Sequence, residues 1–105
     1  MSTFDIYIAY VSWDSGGKRR PVLILDESAG SVTVFNITTQ YESKSETIRA
    51  KYFIIADWKQ AGLDRPSYVD TNNMVIMPLT AIDSNSSIGK LSAADELRLI
   101  EFINQ

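Results

Sequence analysis

Two stretches of this chain carry side chains suited to chemistry on a phosphate: Lys18-Arg19-Arg20-Pro21 and Thr38-Thr39-Gln40. Arginine stays charged and can donate two parallel hydrogen bonds to phosphate oxygens. Gly16-Gly17 lies just before the basic run, and paired glycines let backbone approach a ligand closely. A hydroxyl at Thr38 could position a scissile phosphate or a ribose hydroxyl. Each stretch also has a plainer explanation. A charge run ahead of a strand is commonly a solvated turn, and threonine is favoured in strands. Spacing alone does not choose between them.

The rest of the composition narrows the chemistry. The chain has no histidine and no cysteine. Histidine acid–base catalysis, thiolate nucleophiles and His/Cys zinc sites are therefore excluded, and disulfides with them. Any catalysis rests on Arg, Lys, Thr, Ser, Tyr or carboxylates, and neither a metal nor another cofactor is expected. Asp64, Asp70 and Asp83 match no metal-ligand spacing and read as solvated loop carboxylates. Ten basic against thirteen acidic residues give a net charge of −3, which disfavours avid non-specific capture of nucleic acid. Distribution can override that total, since Lys18, Arg19 and Arg20 are consecutive and Arg49 and Lys51 alternate. Trp13, Trp58, Tyr52, Phe53 and Tyr68 could stack bases. Trp13 is placed best, because its loop leads to the basic run.

These residues need a frame. At 105 residues the chain has the size of one domain, taken as 1–105, and 45% hydrophobic residues is ordinary globular composition. No apolar run reaches the roughly 18 residues of a membrane span, and Met1 to Asp5 lacks a signal-peptide pattern. A soluble cytoplasmic protein with no membrane partner is expected.

Phe4, Ile6, Ile8 and Tyr10 alternate with Asp5, Tyr7 and Ala9 and predict a first strand. Residues 14–18 read as a loop, and Val22 to Leu25 as a strand buried on both faces, with Pro21 at its start. Ala29-Gly30 breaks the pattern before a hairpin-linked strand over 32–37. Residues 38–46 read as an exposed polar loop. The pattern predicts a strand over 48–55, with Arg49 and Lys51 on one face. Asp57 to Gly62 reads as a short helix capped by Asp57, and 67–69 and 74–77 as one or two strands. Ser92 to Asp95 imitates a capping box ahead of a last helix carrying Leu97, Leu99, Ile100, Phe102 and Ile103. The sum is a mainly β fold: several short strands forming a small barrel, with a C-terminal helix alongside.

Taken in series, the motifs resemble the MazF/PemK (Kid) family of bacterial toxins. Arg20-Pro21 before an apolar strand, a further strand, and Thr38-Thr39-Gln40 follow that family's pattern. Phe4 to Ala9 is similar to its first strand, and Ile88-Gly89-Lys90-Leu91-Ser92 to its lead into the last helix. The resemblance covers nearly the whole chain. It implies an SH3-like barrel, a homodimer, and metal-independent cleavage of single-stranded RNA by 2′-hydroxyl attack, restrained by a partner antitoxin. Arg20 and Thr38 fall on the catalytic positions. RNA contacts are then expected from Trp13, Lys18, Arg19, Thr39, Gln40, Arg49, Lys51 and Asp70. One segment departs: the family's acidic-Gln-x-basic-Ser/Thr stretch reads Asn72-Asn73-Met74-Val75-Ile76 here, with Asp70 near enough to stand in for the carboxylate. That change supports an alternative, a catalytically silent barrel that binds an antitoxin or another protein target.

Overall fold

The structure, a computed structural model, describes residues 1–13 and 15–105, with backbone only for Ser12 and Trp13. Six strands run in chain order: β1 (Asp5–Trp13), β2 (Gly16–Ser28), β3 (Ser31–Thr38), β4 (Tyr52–Ile54), β5 (Tyr68–Pro78) and β6 (Ile82–Lys90). A short helix α1 (Glu46–Arg49) precedes β4, and a longer one, α2 (Ala93–Ile103), ends the chain. The strands form one antiparallel sheet in the order β4-β5-β3-β2-β1-β6.

Connectivity forces this sheet to curl. β5 and β6 are four strand spacings apart, about 19 Å in a flat sheet, yet only residues 79–81 link Pro78 to Ile82. That link spans at most about 14 Å. The sheet therefore bends into the SH3-like form, mainly β with one small helix, although β4 and β6 do not pair to close it.

Alternating side chains feed two cores. On one face Ile6, Leu23, Phe35, Ile37, Phe53 and Leu99 pack beneath α2. On the other, Ala9, Val22, Ile24, Val32, Val34, Met77 and Ile82 fill the curl. Val22, Leu23 and Ile24 are all buried, as an apolar run serving both faces requires.

Several local expectations change. Residues 16–18 are strand, because the β1–β2 ladder runs out to Trp13↔Gly16. Pro21 accordingly lies inside β2, opposite Ile8 and just short of where β3 pairing begins. The strand over 48–55 is replaced by α1 and a three-residue β4. Ser45 caps α1 by accepting from the Ile48 N–H (3.3 Å), with Glu46 in the first turn and Arg49 in the last, each sign suited to the helix dipole. Arg49 and Lys51 thus do not alternate on a strand. Residues 57–62 form one α-type turn and no regular helix. It ends in a Schellman pair, Leu63 N–H to Trp58 O and Gly62 N–H to Lys59 O, with Gly62 at φ +94°. The Asp57 carboxylate does not cap this turn; it accepts from the Ser92 hydroxyl (2.7 Å). Residues 67–69 and 74–77 belong to the single strand β5, and β6 is an addition to the expected set.

Gly89 locks β6 beneath the Gly62 turn. A Cβ on Gly89 would collide with the Ala61 carbonyl, which is backbone and cannot step aside. Gly89→Ala is expected to cost roughly 1–3 kcal/mol, the range for overpacking, read as a lowered midpoint in chemical denaturation.

Candidate RNA-binding cleft

Register assembles the site. Side chains two apart on a strand share a face, so Lys18, Arg20 and Val22 of β2 point the same way. Val22 lies opposite Asn36, which puts Arg20 diagonal to Asn36 and toward Thr38, the next residue of β3 on that face. Thr38 lies opposite Tyr68, and Tyr52 opposite Asp70, on the same side again. β5 bulges here. Pairing jumps from Ile37↔Val69 to Phe35↔Met74, and Asp70 steadies the bulge by accepting from the Asn72 N–H (2.9 Å).

Between these strands opens a cleft of about 460 Å³. One wall carries Lys18, Arg19 and Arg20; Asn36, Thr38, Tyr52 and Asp70 line it from the inner strands. Thr39, Gln40 and Lys44 of the following loop, and Asp64, Arg65 and Ser67, complete it. Five cations face two carboxylates, a local excess of three positive charges in a chain of net −3. The acidic total is thus no obstacle to anion binding at this place.

The individual groups are prepared for different tasks. Thr38 Oγ1 accepts from the Gln40 N–H (3.0 Å), which fixes the hydroxyl and leaves its own O–H to donate. Arg20 Nε and Asn36 Oδ1 are both buried and have no hydrogen-bond partner among the described residues. Burial, aided by the charge of Asp70, pushes the Tyr52 phenol above its ordinary pKa, so it remains a neutral donor. Tyr41 stacks on Tyr68 (4.4 Å between centroids, 12° between planes) and pins the loop that carries Gln40 and Lys44.

The cleft gathers Arg20, Thr38, Lys18, Arg19, Thr39, Gln40 and Asp70 from among the expected site residues. Arg19 is partly committed elsewhere: its guanidinium lies 3.1 Å from Asp83 on β6. The Asn85 backbone N–H, and then Arg19, hold the Asp83 carboxyl below its ordinary pKa. Arg49 sits on α1, 5.6 Å from the Tyr41 ring and 3.9 Å from Glu42, outside the cleft lining. Lys51 borders a separate hollow with Phe35, Thr71 and Phe102. The Trp13 side chain lies outside the described residues. Of the other candidate stackers, Phe53 is core, Trp58 packs against that core and Tyr68 stacks on Tyr41 outside the cleft lining, which leaves Tyr52 at the site. Asn36, Lys44, Arg65 and Ser67 were not legible in advance, and Tyr52 only as a stacker. Their one signal was a second Arg-Pro step at Arg65-Pro66.

No protein-family model matches the sequence, and no curated protein matches it. Solved structures do. The Mycobacterium tuberculosis toxin MazF-mt6 superposes with a TM-score of 0.72 at 30% identity, over 95% of this chain and 92% of that one. The crystal structure of an Mtb toxin gives a TM-score of 0.67, also at 30% identity, over 95% and 96% of the two chains. With the barrel, the Arg20–Thr38 cleft and that likeness over nearly its full length, this chain belongs to the MazF/PemK family of toxins.

Proposed function

We propose that this protein is a metal-independent endoribonuclease toxin that cleaves single-stranded RNA and is inhibited by a cognate antitoxin. The observation that carries the reading is the convergence of Arg20 and Thr38 on one cation-rich cleft. In the proposed reaction the ribose 2′-oxygen attacks the adjacent phosphorus and the bond from phosphorus to the 5′-oxygen breaks. A 2′,3′-cyclic phosphate results, and the departing 5′-oxygen takes up a proton from water to become a free 5′-hydroxyl. Arg20 stabilises the charge that builds on the phosphoryl oxygens and hydrogen-bonds the leaving oxygen, while the Thr38 O–H orients the phosphate. Asp70, on the same face, takes the proton of the attacking hydroxyl. Lys18, Lys44 and Arg65 hold flanking phosphates.

A homodimer fits the remaining surface. Leu97, Ile100 and Ile103, which recur at helical spacing, face outward on α2, where Leu97 is 64% exposed; Leu99 and Phe102 face the core. Met74 and Ile76 on β5 are 65% and 73% exposed. Apolar side chains left outside a small domain mark an interaction surface. Asn72 and Val75 on the same strand favour the second reading, a silent barrel that grips a protein target, because they stand where the family carries its acidic and basic residues.

Incubation of the purified protein with unstructured RNA in excess chelator separates the two. Discrete fragments carrying 5′-hydroxyl ends are expected. Intact RNA, with the dimer and antitoxin binding preserved, would establish the silent barrel instead.

A further inference from the structure

Arg20 Nε and Asn36 Oδ1 form a matched vacancy in the hydrogen bonding of the cleft. One is a donor and the other an acceptor, both are buried, and neither has a partner among the described residues. Their strand positions make them diagonal neighbours on one face, since Val22 lies opposite Asn36 and Arg20 is two residues along. A buried polar atom left unpaired costs roughly 1–3 kcal/mol, so the arrangement is stabilised by a ligand that satisfies both. A hydroxyl group does this with a single oxygen, accepting from Nε–H while donating to Oδ1. A phosphate oxygen serves Arg20 only, because it brings no proton for Asn36.

We propose that Asn36 and Arg20 Nε together form the subsite for the ribose 2′-hydroxyl beside the scissile phosphate. This rests on reading the cleft as an RNA site and adds what that reading lacks, a group that tells RNA from DNA. The 2′-hydroxyl is the feature that distinguishes the two nucleic acids, and it is also the nucleophile. With Nε on the 2′-oxygen, the outer nitrogens of the same guanidinium remain free for the phosphate. Nucleophile and electrophile are then held by one planar side chain, and Asn36 sets the direction of the O–H. Asn36 binds and orients the resting hydroxyl, because a neutral amide takes no proton, and the O–H turns from Asn36 to Asp70 as attack begins.

The test uses ligands that cannot be cleaved. Short randomised oligonucleotides carry 2′-fluoro sugars at every internal position, end in a 3′-phosphate and have ribose or 2′-deoxyribose at the last nucleotide only, and binding is measured by fluorescence anisotropy. The wild-type protein is expected to prefer the ribose form about tenfold, the worth of one well-placed pair of hydrogen bonds. Asn36→Ala and Asn36→Leu are expected to reduce the preference to about twofold or less, while binding of the deoxy form stays within about twofold of wild type. Thermal melts establish that each variant is folded. Equal binding of the two forms by the wild type overturns the proposal without any variant, as does a preference unchanged in a folded variant. Failure to bind either oligonucleotide overturns the reading of the cleft as an RNA site, a distinct result.

Discussion

Arg20→Ala is expected to lower single-turnover RNA cleavage by on the order of 10³-fold while shifting the Tm by no more than a few degrees. A preorganised donor aimed at developing phosphoryl charge is typically worth 10²–10³ in rate, and Arg20 supplies several donors at once. The cost to folding is small for the same structural reason that the site is open. Among the described residues the Nε has no partner, so truncation strands none of their polar groups. Arg20→Lys keeps the charge but loses the planar fork, and an intermediate loss of roughly 10–100-fold follows. Arg19→Ala is the internal comparison. Its guanidinium is drawn to Asp83 and both groups are well exposed, so cleavage is expected to fall less than about tenfold. Cleavage of a long unstructured RNA, followed by denaturing gel, measures all three. Full activity in Arg20→Ala would remove this residue from the mechanism.

Some parts of this molecule are legible residue by residue and others are not. Val22 to Leu25, Val32 to Ile37 and the Ser92 cap of α2 are written in local patterns: an apolar run, an alternation, a hydroxyl before a helix. β6 is not. Ser84, Asn85, Ser86 and Ser87 are weak strand formers, and they adopt strand because β1 offers a ladder through a bulged register. α1 was hidden by the branched residues after it, which imitate a strand, while its Ser45 cap sat unnoticed in a polar loop. The site divides the same way. Arg20 and Thr38 could be named from motif. Asn36, Lys44, Tyr52 and Arg65 come from separate segments that meet only when β4 pairs with β5 and the sheet curls. The diagonal of Arg20 with Asn36 is a property of register, which no residue carries by itself.

Asp95→Ala is expected to be the most damaging single change to folding, at about 3–5 kcal/mol. Its carboxylate is fully buried, accepts the backbone N–H groups of Ala56 (3.2 Å) and Asp57 (2.8 Å), and pairs with Arg98. A capping-box residue would turn back to the backbone of Ser92. Only half of that box forms here. The Asp95 N–H donates to Ser92 Oγ (3.1 Å), and the side chain reaches across to the turn after β4 instead. Ser92 completes the link by donating to Asp57. One carboxylate thus ties the N-terminus of α2 to the segment leading into Leu63–Ser67, which forms part of the cleft wall. Alanine strands two backbone donors and leaves the helix start unanchored. For a domain whose whole stability is of order 5–15 kcal/mol, a fall in Tm of roughly 12 °C or more follows. Asp95→Asn keeps one acceptor oxygen and is expected to lose less than half as much. Arg98→Ala is expected to cost about 1–3 kcal/mol, because it leaves the fully buried Asp95 carboxylate held only by two backbone N–H groups, while water reaching the 46% exposed Arg98 position limits the loss. Thermal melts rank the three. If Asp95→Ala melted within a few degrees of wild type, packing of Leu99 and Phe102 alone would be holding α2, and the cleft wall would owe nothing to the carboxylate.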